Sequence, residues 1–214
     1  MARLKNGIFG SFVGIVGNLE GYMLNGRQII RTRRKKTTKP PTEKQLAWRQ
    51  KMVQTHQFLG AFTDFVTTGF SYSTTGKNLT PYATAVGYQL KHAFKGEYPD
   101  YTIDYAQVRL TEGPISTKGI DAAVTVQGNK LIFTWTPDLS YAHSSDHVML
   151  LGYSPVLNEA VYKLCGEKRI TGTDVLVLPD ETWEGKTIET YLSFISENGT
   201  KCTNSIYLGA LIYK

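Results

Sequence analysis

Val124-Thr125-Val126-Gln127-Gly128-Asn129-Lys130-Leu131-Ile132-Phe133-Thr134-Trp135 reads as a β-hairpin. β-Branched and aromatic residues fill both arms, as suits a pleated, half-buried surface. Gln127-Gly128-Asn129 supplies the turn. Segments of the same character follow: Val148 to Tyr153, Ala160 to Leu164, Thr173 to Leu178, Thr187 to Ile195 and Ser205 to Ile212. Glu197-Asn198-Gly199 marks a further hairpin turn. Upstream, Tyr101-Thr102-Ile103-Asp104-Tyr105 and Ala106-Gln107-Val108-Arg109-Leu110 each alternate, predicting strands with a slip or bulge at their join. Seven or eight short strands over about 115 residues, with no helical segment, predict a two-sheet, immunoglobulin-like β-sandwich for residues 99–214. The Cys…Trp…Cys spacing of true immunoglobulin domains is absent. Trp135 and Trp183 are expected at core and corner positions.

Residues 40–98 predict helices that brace this sandwich. Thr42 and Gln45 have the spacing of a capping box directly after Pro40-Pro41. Trp48, Met52, Thr55, Leu59, Phe62 and Val66 then recur at helical spacing. One helix from about residue 43 to residue 67 follows, with a bend near Gly60, the residue type least suited to a helix interior after proline. A second helix begins with Thr80 as N-cap and Pro81 in its first turn, and it runs to about Phe94. The fold class is therefore mainly β, with α elements added.

Residues 1–39 form a different segment. Gly7, Gly10, Gly14, Gly17, Gly21 and Gly26 are too many for a helix. Between and beside them stand strand formers, Ile8, Phe9, Phe12, Val13, Ile15, Val16 and Tyr22. Asn25-Gly26 between two apolar runs is a strong hairpin signal, because both turn residues take φ > 0. Gly17-Asn18 marks a second turn. The segment fits either a small meander on its own domain or an arm that adds strands to a neighbouring subunit. For the second use the docking residues are Ile8, Phe9, Phe12, Gly14, Val16, Gly17, Gly21 and Tyr22. The glycines also break up the apolar run that a secretory signal would need, and no small-residue cleavage site follows. Synthesis in the cytoplasm is expected, with a virion or an extracellular assembly as destination.

Charge is divided unevenly. The whole chain carries +6, yet residues 1–56 hold twelve Lys and Arg against Glu20 and Glu43. Arg27, Arg31, Arg33, Arg34, Lys35, Lys36 and Lys39 concentrate this charge before the two prolines. Two partners suit it: the mildly acidic remainder of another copy, or a polyanion. Nucleic acid bound through residues 27–51 would be held by its phosphates without sequence preference, since no aromatics are interleaved for stacking. A homo-oligomer or polymer is the leading expectation. No small-molecule substrate, cofactor or metal is expected, and no apolar run reaches the roughly 20 residues of a membrane-spanning helix.

Chemistry is sparsely signalled. His143 and His147 bracket Ser144-Ser145-Asp146, but in a loop entering a strand rather than on a metal-binding helix. No GxSxG elbow exists. Cys165 and Cys202 are too few for a disulfide scaffold or a four-thiolate zinc site. The chain is expected not to be an enzyme.

Asn6-Gly7-Ile8-Phe9-Gly10, Gly14-x-Val16-Gly17-Asn18, Gly21-Tyr22, Gly26, Ile30-Arg31 and Lys39-Pro40-Pro41-Thr42-x-x-Gln45 form a further pattern. With Arg49, it resembles an uncharacterised family found mainly in Bacteroidetes, with related N-termini in phage-like proteins. Val13-Gly14-Ile15 departs from it, since relatives often carry a polar residue and a Lys there. The resemblance implies a non-enzymatic virion or filament component and transfers no site residue.

Overall fold

Glycines at positive φ turn the first forty residues back on themselves. The computed structural model describes residues 3–4, 10–24, 26–35, 37–140, 143–179 and 181–213. Gly17 and Gly26 sit at φ +55° and +76°, where a Cβ is costly. Around these turns β1 (Arg3–Leu4), β2 (Phe12–Val16), β3 (Leu19–Leu24) and β4 (Arg27–Thr32) form an antiparallel sheet in chain order. Val16 pairs with Leu19 and Leu24 with Arg27, so both expected turns close hairpins. Residues 1–42 make one compact unit and residues 43–214 another.

The second unit opens with helices α1 (Glu43–Gly60), α2 (Thr63–Gly69) and α3 (Pro81–His92). The single helix expected to residue 67 is thus two. Gly60 ends the first, and Phe62 leaves helical geometry at φ −146° while remaining fully buried. At α3 the expected cap is present: the Thr80 hydroxyl oxygen accepts from the Ala83 amide at 3.2 Å, with Pro81 in the first turn.

Strands β5 (Phe94–Lys95) and β6 (Thr102–Ile103) pair briefly. The two longer strands expected over 101–110 do not form. Asp104 instead accepts from the Ala106 amide at 3.3 Å and caps a 3₁₀ turn at Tyr105–Gln107. Local side-chain bonding of this kind competes with a strand ladder.

The remaining strands are β7 (Ala122–Gln127), β8 (Lys130–Trp135), β9 (His147–Ser154), β10 (Glu159–Lys163), β11 (Thr173–Val177), β12 (Thr187–Ile195) and β13 (Ile206–Ile212). Their order is β11-β8-β7 in a three-stranded sheet and β10-β9-β12-β13 in a four-stranded one. Both are antiparallel.

Burial explains which strands are central. β8 alternates, with Leu131, Phe133 and Trp135 buried. β9 is buried at seven of its eight residues and β12 at eight of nine, the mark of strands covered on both faces. On one face Val148, Leu150, Ile188, Leu192 and Phe194 meet Leu131, Phe133, Leu176 and Trp183. On the other, Met149, Leu151, Tyr153, Tyr191 and Ile195 meet Phe58, Leu59, Phe62, Phe65 and Val86. The unit therefore has three layers: three strands, four strands, then helices. Each fully buried apolar side chain contributes about 1.5–3 kcal/mol, so both clusters matter to stability. Trp135 and Trp183 lie in the first cluster, 4% and 1% exposed.

Candidate assembly and polyanion-binding arm

Strand alternation sorts the arm's side chains onto two faces. The cross-strand pairs Gly14–Gly21, Val16–Leu19, Gly21–Ile30 and Met23–Gln28 define the first. Phe12 belongs to it and lies over Gly21, where a Cβ would stand 2.6 Å from Phe12 Cε2. Gly14 takes φ +124°, a conformation reserved for glycine. The second face carries Val13, Ile15, Tyr22, Leu24 and Ile29 beside Glu20, Arg27 and Arg31, by the same register.

Neither face is buried. Val13, Ile15, Val16, Leu19, Met23, Leu24 and Ile30 expose between 41% and 56% of their surface. Gly21 is the one buried residue among those described in 10–42. Ile8 and Phe9 lie outside the described residues.

The basic residues divide by their partners. Glu20 and Arg31 face each other across β3 and β4. The Arg31 guanidinium donates to Glu20 Oε2 at 2.9 and 3.1 Å and sits 5.2 Å above the Tyr22 ring. Its hydrogen bond to Glu20 raises its pKa further. Arg33 continues the pairing beyond β4 through its amide, which donates to the Asn18 carbonyl at 2.7 Å. The side chains of Arg27, Arg33, Arg34, Lys35 and Lys39 are exposed and form no ion pair among the described residues. Lys36 lies outside them. Five free cations and one paired one thus remain for an anionic partner.

The candidate histidines are not brought together. His143 Nδ1 lies 3.0 Å from Asp146 Oδ2, whereas His147 Nδ1 donates to the Gly166 carbonyl at 2.8 Å. Asp146 is 3% exposed and shares its carboxylate with buried Arg169, 3.8 Å away. Burial raises the Asp146 pKa. Among the described residues no group of three or more His, Cys, Asp and Glu could hold a metal ion, and no helix is long and apolar enough to cross a membrane. Both thiols are free; Cys165 is exposed and Cys202 buried.

The sequence reading missed one cleft. Gln54, Gln57, Tyr101, Tyr105, Tyr153 and Asn158 converge on an open space of about 550 Å³. They come from α1, the segment after α3, β9 and the β9–β10 loop, so no local spacing signals it.

A family model described as a family of unknown function, DUF6266, matches residues 11–209. No curated protein and no solved structure matches the chain.

Proposed function

The chain belongs to the DUF6266 family, and we propose that it is a non-enzymatic structural protein that self-assembles through its N-terminal arm. One observation carries this reading: a single-layer sheet leaves seven large apolar side chains open on two faces. Apolar sheet faces are ordinarily buried against another element, and large exposed apolar surface marks an interaction site. The occupant we assign is a second copy of the chain. Charge favours it, because the basic front finds its complement in the acidic remainder, residues 57–214, of another copy. The family match begins at residue 11, inside the arm, which supports the arm as an integral part of the architecture.

The body suits such a role. Numbered from β7, the first, second and fifth strands form one sheet and the third, fourth, sixth and seventh the other. This is the division of strands A, B and E from C, F and G in immunoglobulin-like sandwiches, with an extra strand beside C. We therefore read the body as immunoglobulin-like, with its C-F-G sheet covered by helices. A filament or virion component is the corresponding context.

The test is removal of residues 1–42. Light scattering of the full chain should show assemblies that weaken with salt, and the shortened chain should be a folded monomer. A shortened chain that assembles normally overturns the proposal.

The free cations favour a second reading, phosphate binding by Arg33, Arg34, Lys35 and Lys39. Such binding would fall roughly a hundredfold between 50 and 200 mM salt for these four contacts. Full-chain sizing with and without duplex DNA separates the two: assembly that appears only with DNA favours this reading.

A further inference from the structure

We infer that the cleft beside α1 binds a neutral saccharide. Its volume, about 550 Å³, lies within the range of small-ligand sites. The lining combines aromatic rings with side-chain amides and contains no charged side chain, although the chain carries 42 charged residues. An ionic ligand would find no counter-charge in the lining itself, Lys51 being engaged over the Tyr101 and Phe94 rings, and a purely apolar one would leave the amides unpaired.

The aromatic part is held rigidly. Phe58 and Tyr153 pack edge to face at 4.9 Å between centroids, and Phe58 and Tyr105 do so at 5.8 Å. Lys51 lies over the Tyr101 ring at 4.2 Å, and Phe94 packs edge to face against it at 6.3 Å. Aromatic residues present an apolar face beside a polar tip, which matches a sugar ring with its C–H face and rim of hydroxyls.

The polar part has unused capacity. Gln54 donates through Nε2 to the Tyr101 carbonyl at 3.3 Å, while its Oε1 is buried without a partner. Asn158 accepts the Tyr153 hydroxyl at 3.0 Å, and its amide donors make no hydrogen bond among the described residues. The Tyr105 hydroxyl likewise has no hydrogen-bond partner there. Amides both donate and accept, as do the neighbouring hydroxyls of a sugar. A buried acceptor without a donor is costly, and Gln54, which lines the cleft, carries one.

The test is saturation-transfer NMR on the full chain, which reads ligand protons and tolerates an assembled protein. The probes are maltotetraose, cellotetraose, xylotetraose and tetra-N-acetylchitotetraose, each at about 5 mM, the regime of weak sites, with trigalacturonate as charged control. At least one neutral probe should show saturation, and Gln54→Leu and Tyr101→Ala should each weaken its binding about tenfold or more. Gln28→Leu, in the arm, should leave it unchanged. Silence from all four neutral probes overturns the inference. So does binding by both cleft variants equal to that of the unaltered chain, or a stronger signal from trigalacturonate.

Discussion

A Cβ on Gly21 would stand 2.6 Å from Cε2 of Phe12 and 2.7 Å from its carbonyl oxygen. The ring could turn aside, but the carbonyl belongs to the adjoining strand. Gly21→Val should therefore break the β2–β3 pairing and abolish assembly, while melting of the 43–214 unit stays unchanged. Gly17→Val differs. Nothing lies within 4 Å of its Cβ, so only the left-handed backbone, at about 1–2 kcal/mol, opposes it. Scattering should show assembly lost in the first variant and merely weakened in the second; equal behaviour would deny the Phe12 contact its role. Arg169 is the corresponding residue in the body. It is 4% exposed, 3.2 Å from Asp138, 3.8 Å from Asp146 and 4.9 Å above the Phe194 ring. Breaking a buried pair from one side costs about 3–5 kcal/mol. Arg169→Met should lower the melting temperature by roughly 6–20 °C, and a change under about 2 °C would show the pair to be energetically idle. The two cysteines should also separate. Burial pushes the Cys202 thiol up to about 11, and the thiol donates to the Gly69 carbonyl. The thiolate is the reactive form, so iodoacetamide at neutral pH should label exposed Cys165 alone in the native protein.

Single elements show why some readings held and others failed. α3 carries Gly87 in its interior with open space where a Cβ would go. Gly87→Ala should then stabilise the body by about 0.5–1 kcal/mol through helix propensity. Denaturant unfolding checks this, and a loss of stability would mean the backbone there is not free to carry a side chain. The helix starts at Glu43 and Pro81 and the β7–β8 hairpin were legible because caps, prolines and turn residues act locally. Asn-Gly and Gly-Asn marked the arm's turns for the same reason. The segment 101–110 misled because alternation alone does not supply a partner strand. Asp104 had a nearer amide to bind, and Tyr105 went to the cluster with Phe58 and Tyr153. The Glu20–Arg31 pair was hidden because it depends on register, which composition does not reveal. The cleft was illegible for a stronger reason. Gln54 and Asn158 are more than a hundred residues apart in the chain, and only the stacking of α1 on the four-stranded sheet brings them to one opening.

At the scale of the whole molecule, the decisive feature is a sheet with two covered faces. The sequence reading placed a two-sheet sandwich at residues 99–214, braced by helices from residues 40–98. In the structure Met149, Leu151, Tyr153, Tyr191 and Ile195 point away from the sandwich interior, each no more than 7% exposed. Phe58, Leu59, Phe62, Phe65 and Phe70 cover them from the helical side. Gln89 ties α3 to the segment after the 3₁₀ turn by donating to the Arg109 carbonyl. Taking away the helices would open a contiguous apolar face on β9 and β12, and surfaces of that kind promote association or prevent folding. The cost follows from the burial. Five apolar side chains at about 1.5–3 kcal/mol each amount to roughly the whole stability of an ordinary domain. A chain of residues 43–214 should therefore unfold in one cooperative transition, with helical and β signals lost together. A chain of residues 99–214 should fail to fold or should aggregate. Circular dichroism at two wavelengths, read against temperature, distinguishes the cases. If 99–214 melts cooperatively as a soluble monomer, the helices are an accessory layer and the sandwich stands by itself. If 43–214 instead melts in two steps, the two clusters on either side of the sheet are independent, and cooperativity does not pass through β9 and β12.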